Sequence, residues 1–430
     1  LTAGDGSLPA KKVVWHRWIE PWFLAYALLG AAVGGLAPIL LPLSVGAGGS
    51  VAEIGLVVGA FNLGGLSSPL WGGLADRRGL GRSFLLGGLL VAGLSLAAFP
   101  LATSLAIRLA LALAQGIGAA CAATVASTVI VETHPRVEWD ERIGWLQTFY
   151  GGGQVLGLLL AGVVSGPDLR RGFFLAGGLL IAASPAAMFM KRMHRKERPS
   201  RPVVNMPSRH AELTAGSPQS FYHHPNAKAL GHFFRSAVSP FHLFLLAWFV
   251  SFTGVAAFFS LYPVVMGRMF GIAPSLSSIG FAAAATAGLF LYAPAGVWSR
   301  KFGSMRILRT ALVVRSLAFV ALFVLGDLTG PHTGALPIVG FAFVVLAWSL
   351  LSVTGTEITA RLSEDHEGEG LGLFNAGTAA AGVLGALVGG WSAGVWGYHV
   401  VALLGIIGAT AGLFLTGLVS IGGKQSKTKE

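Results

Sequence analysis

Long apolar runs alternate with short polar breaks along this chain, and the length of the runs is the informative quantity. A helix rises 1.5 Å per residue, so about 20 mostly apolar residues cross the hydrocarbon core of a bilayer. Runs that meet this requirement are predicted at 20–43, 52–74, 82–102, 105–131, 142–166 and 170–190. Beyond a polar stretch they resume at 240–267, 275–298, 306–326, 333–356, 369–392 and 397–421. The pattern predicts an all-α integral membrane protein with twelve transmembrane helices in two groups of six. Little more than Ser104 separates the third run from the fourth, so a tight turn is expected there. No charged n-region, short apolar region and cleavage site precede the first run, which is expected to be a retained helix.

Composition narrows the function classes. Of 430 residues, 54% are hydrophobic and 11% charged, where a soluble domain carries roughly 25% charged residues. That is too little charge to cover the several soluble domains this length would allow, and it excludes disorder and fibrous repeats. A net charge of +12 would suit nucleic acid, but the basic residues fall between the apolar runs, so no nucleic-acid partner is expected. With both termini in the cytoplasm, all Lys and Arg except Arg108, Arg170, Arg171, Arg268 and Arg315 fall on the inside. The positive-inside rule then places the chain in a plasma (inner) membrane with both termini cytoplasmic. Cys121 is the single cysteine and reads as a small buried hydrophobe.

Residues 1–190 and 240–430 are expected to form two six-helix bundles, joined by a cytoplasmic linker at 191–239. The linker is basic and has no apolar period, and a basic stretch of it could lie on anionic headgroups. It holds His223 and His224, but no standard metal-ligand spacing, so a solvated loop is the better reading.

The halves repeat one another. After the second run the chain reads Gly72-Gly-Leu-Ala-Asp76-Arg77-Arg-Gly79-Leu-Gly-Arg82; after the eighth it reads Gly296-Val-Trp-Ser-Arg300-Lys301-Phe-Gly303-Ser-Met-Arg306. The pairs Gly72/Gly296, Gly79/Gly303 and Arg82/Arg306 share one offset, which also sets Asn62 opposite Thr286. At a nearby offset Gly144, Gln147 and Gly157 of the fifth run match Gly372, Asn375 and Gly385 of the eleventh.

Gly72-x-x-x-Asp76-Arg77-x-Gly79…Arg82, between the second and third of twelve duplicated helices, resembles the signature loop of the major facilitator superfamily, over nearly the whole chain. One departure is Leu80-Gly81, which separates the glycine from its following basic residue. The resemblance implies two pseudo-symmetric six-helix bundles and a gate in which Gly72, Asp76, Arg77, Gly79 and Arg82 take part and Asp76 latches the halves. Glu132, Arg136 and Arg142 are candidate partners in that network. From the residues alone, the two glycines suit a tight turn and close helix approach, and the arginines orient the protein.

Gly153-x-x-x-Gly157…Gly162 in the fifth run is similar to a glycine motif of the superfamily's drug/proton antiporters, without its proline. The eleventh run carries a comparable Ala381-x-x-x-Gly385…Gly390, which favours close helix packing as the reason for both. In the fourth run Arg108 lies about two turns before Gln115-Gly116, where it suits snorkelling to the surface.

No carboxylate falls deep within a predicted span, since Glu20, Glu53, Glu132, Glu357 and Glu369 all sit at span ends. Arg315, about 14 Å into the ninth run, is the one deep ionisable group. The resemblance places that helix on the periphery, so Arg315 is expected to pair structurally with a neighbouring helix. Substrate-binding candidates are neutral: Tyr26, Asn62, Gln115, Gln147, Tyr150, Gln154, Thr286, Trp348 and Asn375, with Gln147 and Asn375 foremost because the repeat makes them equivalent. Amide, hydroxyl and aromatic groups suit a neutral or amphipathic solute.

The expected function is secondary transport of a small organic solute by alternating access, with export slightly favoured over facilitated or symported uptake of a neutral nutrient such as a sugar. A sensor of the same fold that binds without transport is the alternative of another class. No nucleophile–base constellation, metal-ligand motif or phosphate loop points to an enzyme or a cofactor. The expected partners are the solute, membrane lipids and, as a candidate coupling ion, protons, with the chain a monomer.

Overall fold

In the computed structural model, described for residues 18–78, 80–135, 138–166, 168–189, 239–328, 334–363 and 367–419, no strand occurs among the described residues. The side chains at 72, 73, 76–78, 131, 132, 140, 328 and 367–369 also lie outside the described set, as do the linker and both chain ends.

Among the described residues, twelve long helices follow the predicted runs closely. The first half holds α1 (Phe23–Gly46), α2 (Val51–Gly65, resuming as Ser68–Arg78), α3 (Gly81–Ala98), α4 (Leu105–Thr133), α5 (Trp139–Val164) and α6 (Leu169–Ala183). The second half holds α7 (Pro240–Phe270), α8 (Pro274–Phe302), α9 (Ser304–Leu328), α10 (Leu336–Leu362), α11 (Glu367–Trp396) and α12 (His399–Leu418). Eleven are long and apolar enough to cross a membrane. The other, α5, is diluted by Glu141, Arg142, Gln147, Gln154 and its glycines.

Local chemistry sets the ends. Ser50 accepts a hydrogen bond from the Glu53 amide at 3.3 Å, with the Glu53 carboxylate in the first turn of α2, an arrangement that satisfies otherwise orphaned donors. Ser104 caps α4 through Ile107 N, and Ser239 caps α7 through His242 N ahead of Pro240. At the far end of α7, Gly271 takes a left-handed φ of 69° and Ile272 N donates to Met266 O at 3.0 Å, closing the helix with the residue type that adopts this backbone freely.

Two expectations about α2 are corrected. The predicted continuous span breaks at residues 66 and 67, because Ser67 Oγ and Ser68 Oγ donate to the carbonyls of Gly64 and Gly65 at 2.6 and 2.7 Å. Such local bonds compete with the helical ladder, and paired glycines resist that competition weakly. The segment expected as a loop from Gly72 is instead helical through Arg78, so the turn falls after it. In the second copy Gly296 likewise lies inside α8 and the turn is at Gly303, whose φ is 90°.

Within each half, α1 packs on α5 and α2 on α4, while α7 packs on α11 and α12, and α9 on α10. The glycine motifs explain the closest pairs. A Cβ on Gly153 would lie 1.8 Å from Ala27 O, and one on Gly157 would lie 2.1 Å from Ala31 O. In the second half, a Cβ on Gly385 would meet Thr253 O at 2.4 Å. Both motifs are therefore packing surfaces, one per half. Opposite the α5 glycines, α1 winds as a π-helix over Gly30–Leu36, a form that recurs at functional sites.

The halves meet along α2–α11, α5–α8 and α1–α7. Gly55 faces Ala386 O and Gly390, Gly59 faces Leu387, Gly162 faces Ser275 O, and Gly46 faces Val264. These contacts gather toward the face opposite the one where α1 begins and α12 ends. Nearer that terminal face, a Cβ on Gly144, Gly296 or Gly377 would meet nothing within 4 Å.

Candidate functional site

Toward the terminal face from this seam lies a cavity of about 230 Å³. Its walls are Leu29 and Val33 of α1, Phe61, Asn62, Gly65 and Ser68 around the α2 break, Gly116 and Ala119 of α4, Tyr150 of α5 and Ala379 of α11. The α2 break thus opens directly onto it. The walls are mostly apolar with a few polar groups, the usual make-up of a small-molecule site.

Several predicted binding residues converge on the first-half wall. Tyr26 and Tyr150 pack with ring centroids 5.2 Å apart and planes tilted by 46°, and the Gln147 side chain lies beside the Tyr26 hydroxyl. The Tyr150 hydroxyl and the Gln154 side chain close over Gly34, where a Cβ would lie 3.2 and 3.3 Å from them. Asn62 lines the cavity and donates from Nδ2 to Gly382 O at 3.2 Å, across the seam. Gln115, one turn before Ala119, is 1% exposed, and neither amide atom finds a hydrogen-bond partner. A buried amide left this way is costly, so Gln115 is a group with unused binding capacity beside the cavity.

Thr286 does not match its expected counterpart Asn62. Its hydroxyl donates back to Ala282 O at 2.8 Å, which occupies its one donor and leaves its oxygen as an acceptor. Asn375 is half-buried on α11, one turn from the cavity residue Ala379.

Trp348 belongs to an aromatic wall. Its ring lies 5.4 Å from Phe252 and 6.1 Å from Trp248, and Trp248 lies 4.5 Å from Phe374. Trp248 Nε1 donates to Thr378 Oγ1 at 2.8 Å, which fixes the indole against α11. The wall joins α7, α10 and α11. Tryptophan and phenylalanine at distant positions carried no sign of this grouping.

Of the expected gating residues, Gly72, Asp76 and Arg77 occupy the helix Ser68–Arg78, but their side chains, together with Gly79, the Glu132 side chain and Arg136, lie outside the described residues. Arg82 is half-buried at the start of α3. Arg142 is 7% exposed and centres an ion cluster at the terminal face. It binds Glu20 through Nη1 at 2.9 Å and Glu138 through Nη2 at 2.9 Å, and Glu20 also meets His134 at 3.0 Å. Trp22 Nε1 donates to Glu20 at 2.8 Å. These partners all belong to the first half, so the described contacts of Arg142 brace α1, α4 and α5 together. Sequence reasoning missed the cluster. The signal available was three polar span ends, at Glu20, His134 and Glu138, that topology brings to one face. On the second half, Ser299 donates to Glu357, which also pairs with Arg361.

Cys121 is buried, with its thiol on Phe84 O at 3.4 Å. Arg108 is half-buried in the first turn of α4. Among the described residues no group of His, Cys, Asp and Glu forms a metal cluster.

Residues 22–363 match the family model of the Major Facilitator Superfamily. No curated protein matches the chain. Among solved structures, the nucleoside transporter NupG superposes with a TM-score of 0.71 at 12% identity, covering 93% of this chain and 98% of that one. The xylose transporter XylE from E. coli, in an inward open conformation, gives 0.68 at 14% identity, with 94% and 97% covered. A bacterial homolog to the human lysosomal transporter Spinster, inward-facing and unoccupied, gives 0.65 at 16% identity, with 95% and 98% covered. At these identities the likeness is one of fold.

Proposed function

The chain belongs to the major facilitator superfamily, and from that membership we propose that it carries a small organic solute across the membrane through the cavity between its halves. The observation that carries this reading is the placement of the cavity. It lies at the end of a seam that is closed toward one face, with walls drawn from α1, α2, α4, α5 and α11. A rocking of residues 1–190 against 240–430 would expose the same walls to the other face, which is alternating access.

The lining selects an amphipathic cargo. Tyr150 and Asn62 offer hydroxyl and amide groups in the cavity wall, Tyr26, Gln147 and Gln115 lie beside them, and the separate aromatic wall around Trp348 offers ring surface on the second half. A phosphate or a polyol would leave much of that surface unused. Export is the favoured direction, on the apolar character of the cavity. The α5 glycines do not bear on direction, since they are occupied by α1. The protein resides in the plasma (inner) membrane as a monomer, with both termini cytoplasmic. Asp76 serves as the latch, a role motivated by its place in the signature segment.

Reconstitution into proteoliposomes tests this. The purified protein should move labelled amphipathic solutes faster than empty vesicles, and a pH gradient applied in each direction separates proton coupling from facilitated diffusion. Binding without flux under every gradient would overturn transport and favour the sensor.

A further inference from the structure

We propose that the transported solute is an organic monoanion with an aromatic or similarly flat apolar body, and that Arg315 receives its carboxylate beside the Trp348 wall. This rests on the transport reading above and names the class of cargo.

Arg315 lies in the middle of α9, roughly 16 Å along the helix from Ser304 at 1.5 Å per residue. It is 2% exposed. Among the described residues no carboxylate pairs with it and no oxygen accepts from its guanidinium, and Nε is sealed without a partner. Its one specific contact among the described residues is the Trp348 ring, whose centroid lies 6.0 Å from the guanidinium carbon. The structural pairing expected for this residue is therefore absent among the described residues.

A guanidinium keeps its charge at any physiological pH and presents five N–H donors in a planar fork. Buried at mid-membrane depth, such a group is expensive unless something opposes its charge. A ring face offsets part of that cost and takes none of the five donors. The Nη groups thus retain their capacity for a carboxylate, the partner that the fork's geometry matches.

Trp348 joins this cation to the aromatic wall of α7, α10 and α11. It is half-buried and is the shared neighbour of Arg315, Phe252 and Trp248. Thr378, which holds Trp248 in place, adjoins Ala379 of the cavity wall. A flat solute stacked on this wall would turn a carboxylate at its edge toward the guanidinium, which the Trp348 ring now covers. One guanidinium neutralises one charge, and no second basic residue lies deep in any described span, so a dianion would bury an unopposed charge. The depth of Arg315 argues against a lipid phosphate as the anion, because headgroups lie at the interface.

The test uses the full chain in detergent with three probes of one shape: 2-naphthoate, its neutral carboxamide, and 2,6-naphthalenedicarboxylate. Tryptophan quenching and thermal shift report binding. Naphthoate should bind at least tenfold more tightly than the carboxamide or the dianion. In Arg315→Gln the acid and the amide should bind equally, while Arg315→Lys should restore part of the preference. If Arg315→Gln does not fold, Trp348→Leu provides the second variant and should weaken both acid and amide. Equal binding of acid and amide to the unaltered protein overturns the anion assignment, as does failure of every probe to bind. Vesicle flux separates the two readings. Flux of neutral solutes without an acid preference leaves transport standing and removes the anion, whereas acid-selective binding without flux keeps the subsite and removes transport.

Discussion

Asn62 Nδ2 donates to the backbone carbonyl of Gly382 at 3.2 Å, which makes it a side-chain bond that crosses the seam at the mouth of the cavity. Its partner is main chain, so the bond reports how close α2 and α11 come rather than which side chain faces it. Replacing Asn62 with Leu keeps the volume and removes the donor. A net hydrogen bond is worth about 1 kcal/mol, so the closed seam should lose roughly fivefold in population. Spin labels at the exposed positions Ala47 and Trp396, one on each half, would record this as a longer distance component. An unchanged distance distribution would show that the bond does not hold the seam.

Gly55 offers a stronger lever. A Cβ there would stand 2.4 Å from Ala386 O and 2.9 Å from the Gly390 Cα, and both obstacles are backbone. Gly55→Val should leave each half folded, with a wild-type melting temperature for the isolated bundles' secondary structure, and prevent the seam from closing. Flux should fall more than tenfold. Gly144→Ala, where the added carbon meets nothing within 4 Å, should transport normally.

The ion cluster at the terminal face should be worth more than its exposed counterpart. Arg142→Met leaves Glu20 and Glu138 partly buried without their cation, and breaking such a pair costs about 3 kcal/mol. Arg171→Met removes a pair whose members are 84% and 52% exposed, and this should cost well under 1 kcal/mol. Thermal melts of the two variants in one detergent give the comparison, and equal shifts would contradict it.

Asp76→Asn should slow turnover several-fold and leave solute affinity and expression unchanged, since a latch acts on the exchange between states. Single-turnover flux alongside equilibrium binding separates the two quantities. Unaltered turnover would remove Asp76 from the gate.

Gln147→Ala combined with Asn375→Ala should weaken binding by about tenfold, the loss of one good polar contact, with little change in stability. Because Gln147 lies beside the Tyr26 hydroxyl, the double variant should additionally alter the emission of the Tyr26–Tyr150 pair. Unaltered affinity would confine both residues to packing.

The spans were readable because a bilayer imposes one coarse requirement, about 20 apolar residues, that any run either meets or fails. The glycine motifs of α5 and α11 were readable as packing because they recur in both halves. The break in α2 was not, because it depends on hydroxyls at Ser67 and Ser68 that choose a carbonyl three residues back over water. The cluster of Glu20, His134, Glu138 and Arg142 was hidden for a different reason. Its members are span ends scattered over the first half, and only tertiary packing brings them together. Arg315 was visible as a deep charge, yet its neighbour could not be named, since a ring contact leaves no complementary polar residue in the sequence to pair with it.

The seam of Gly55, Gly59, Gly382 and Gly390 has a consequence for energetics across the membrane. Its surfaces are backbone, aliphatic side chains and the neutral amide of Asn62, with no formal charge among the described groups that meet there. A transmembrane voltage does work only on charge that moves through it, about 2.3 kcal/mol per elementary charge per 100 mV. Opening and closing this seam moves none, so the field has no purchase on it. Among the described residues, a voltage dependence of the transport cycle would enter through the deep cation of α9 or through the cargo, and the empty return step would differ electrically from the loaded one by the charge of the solute.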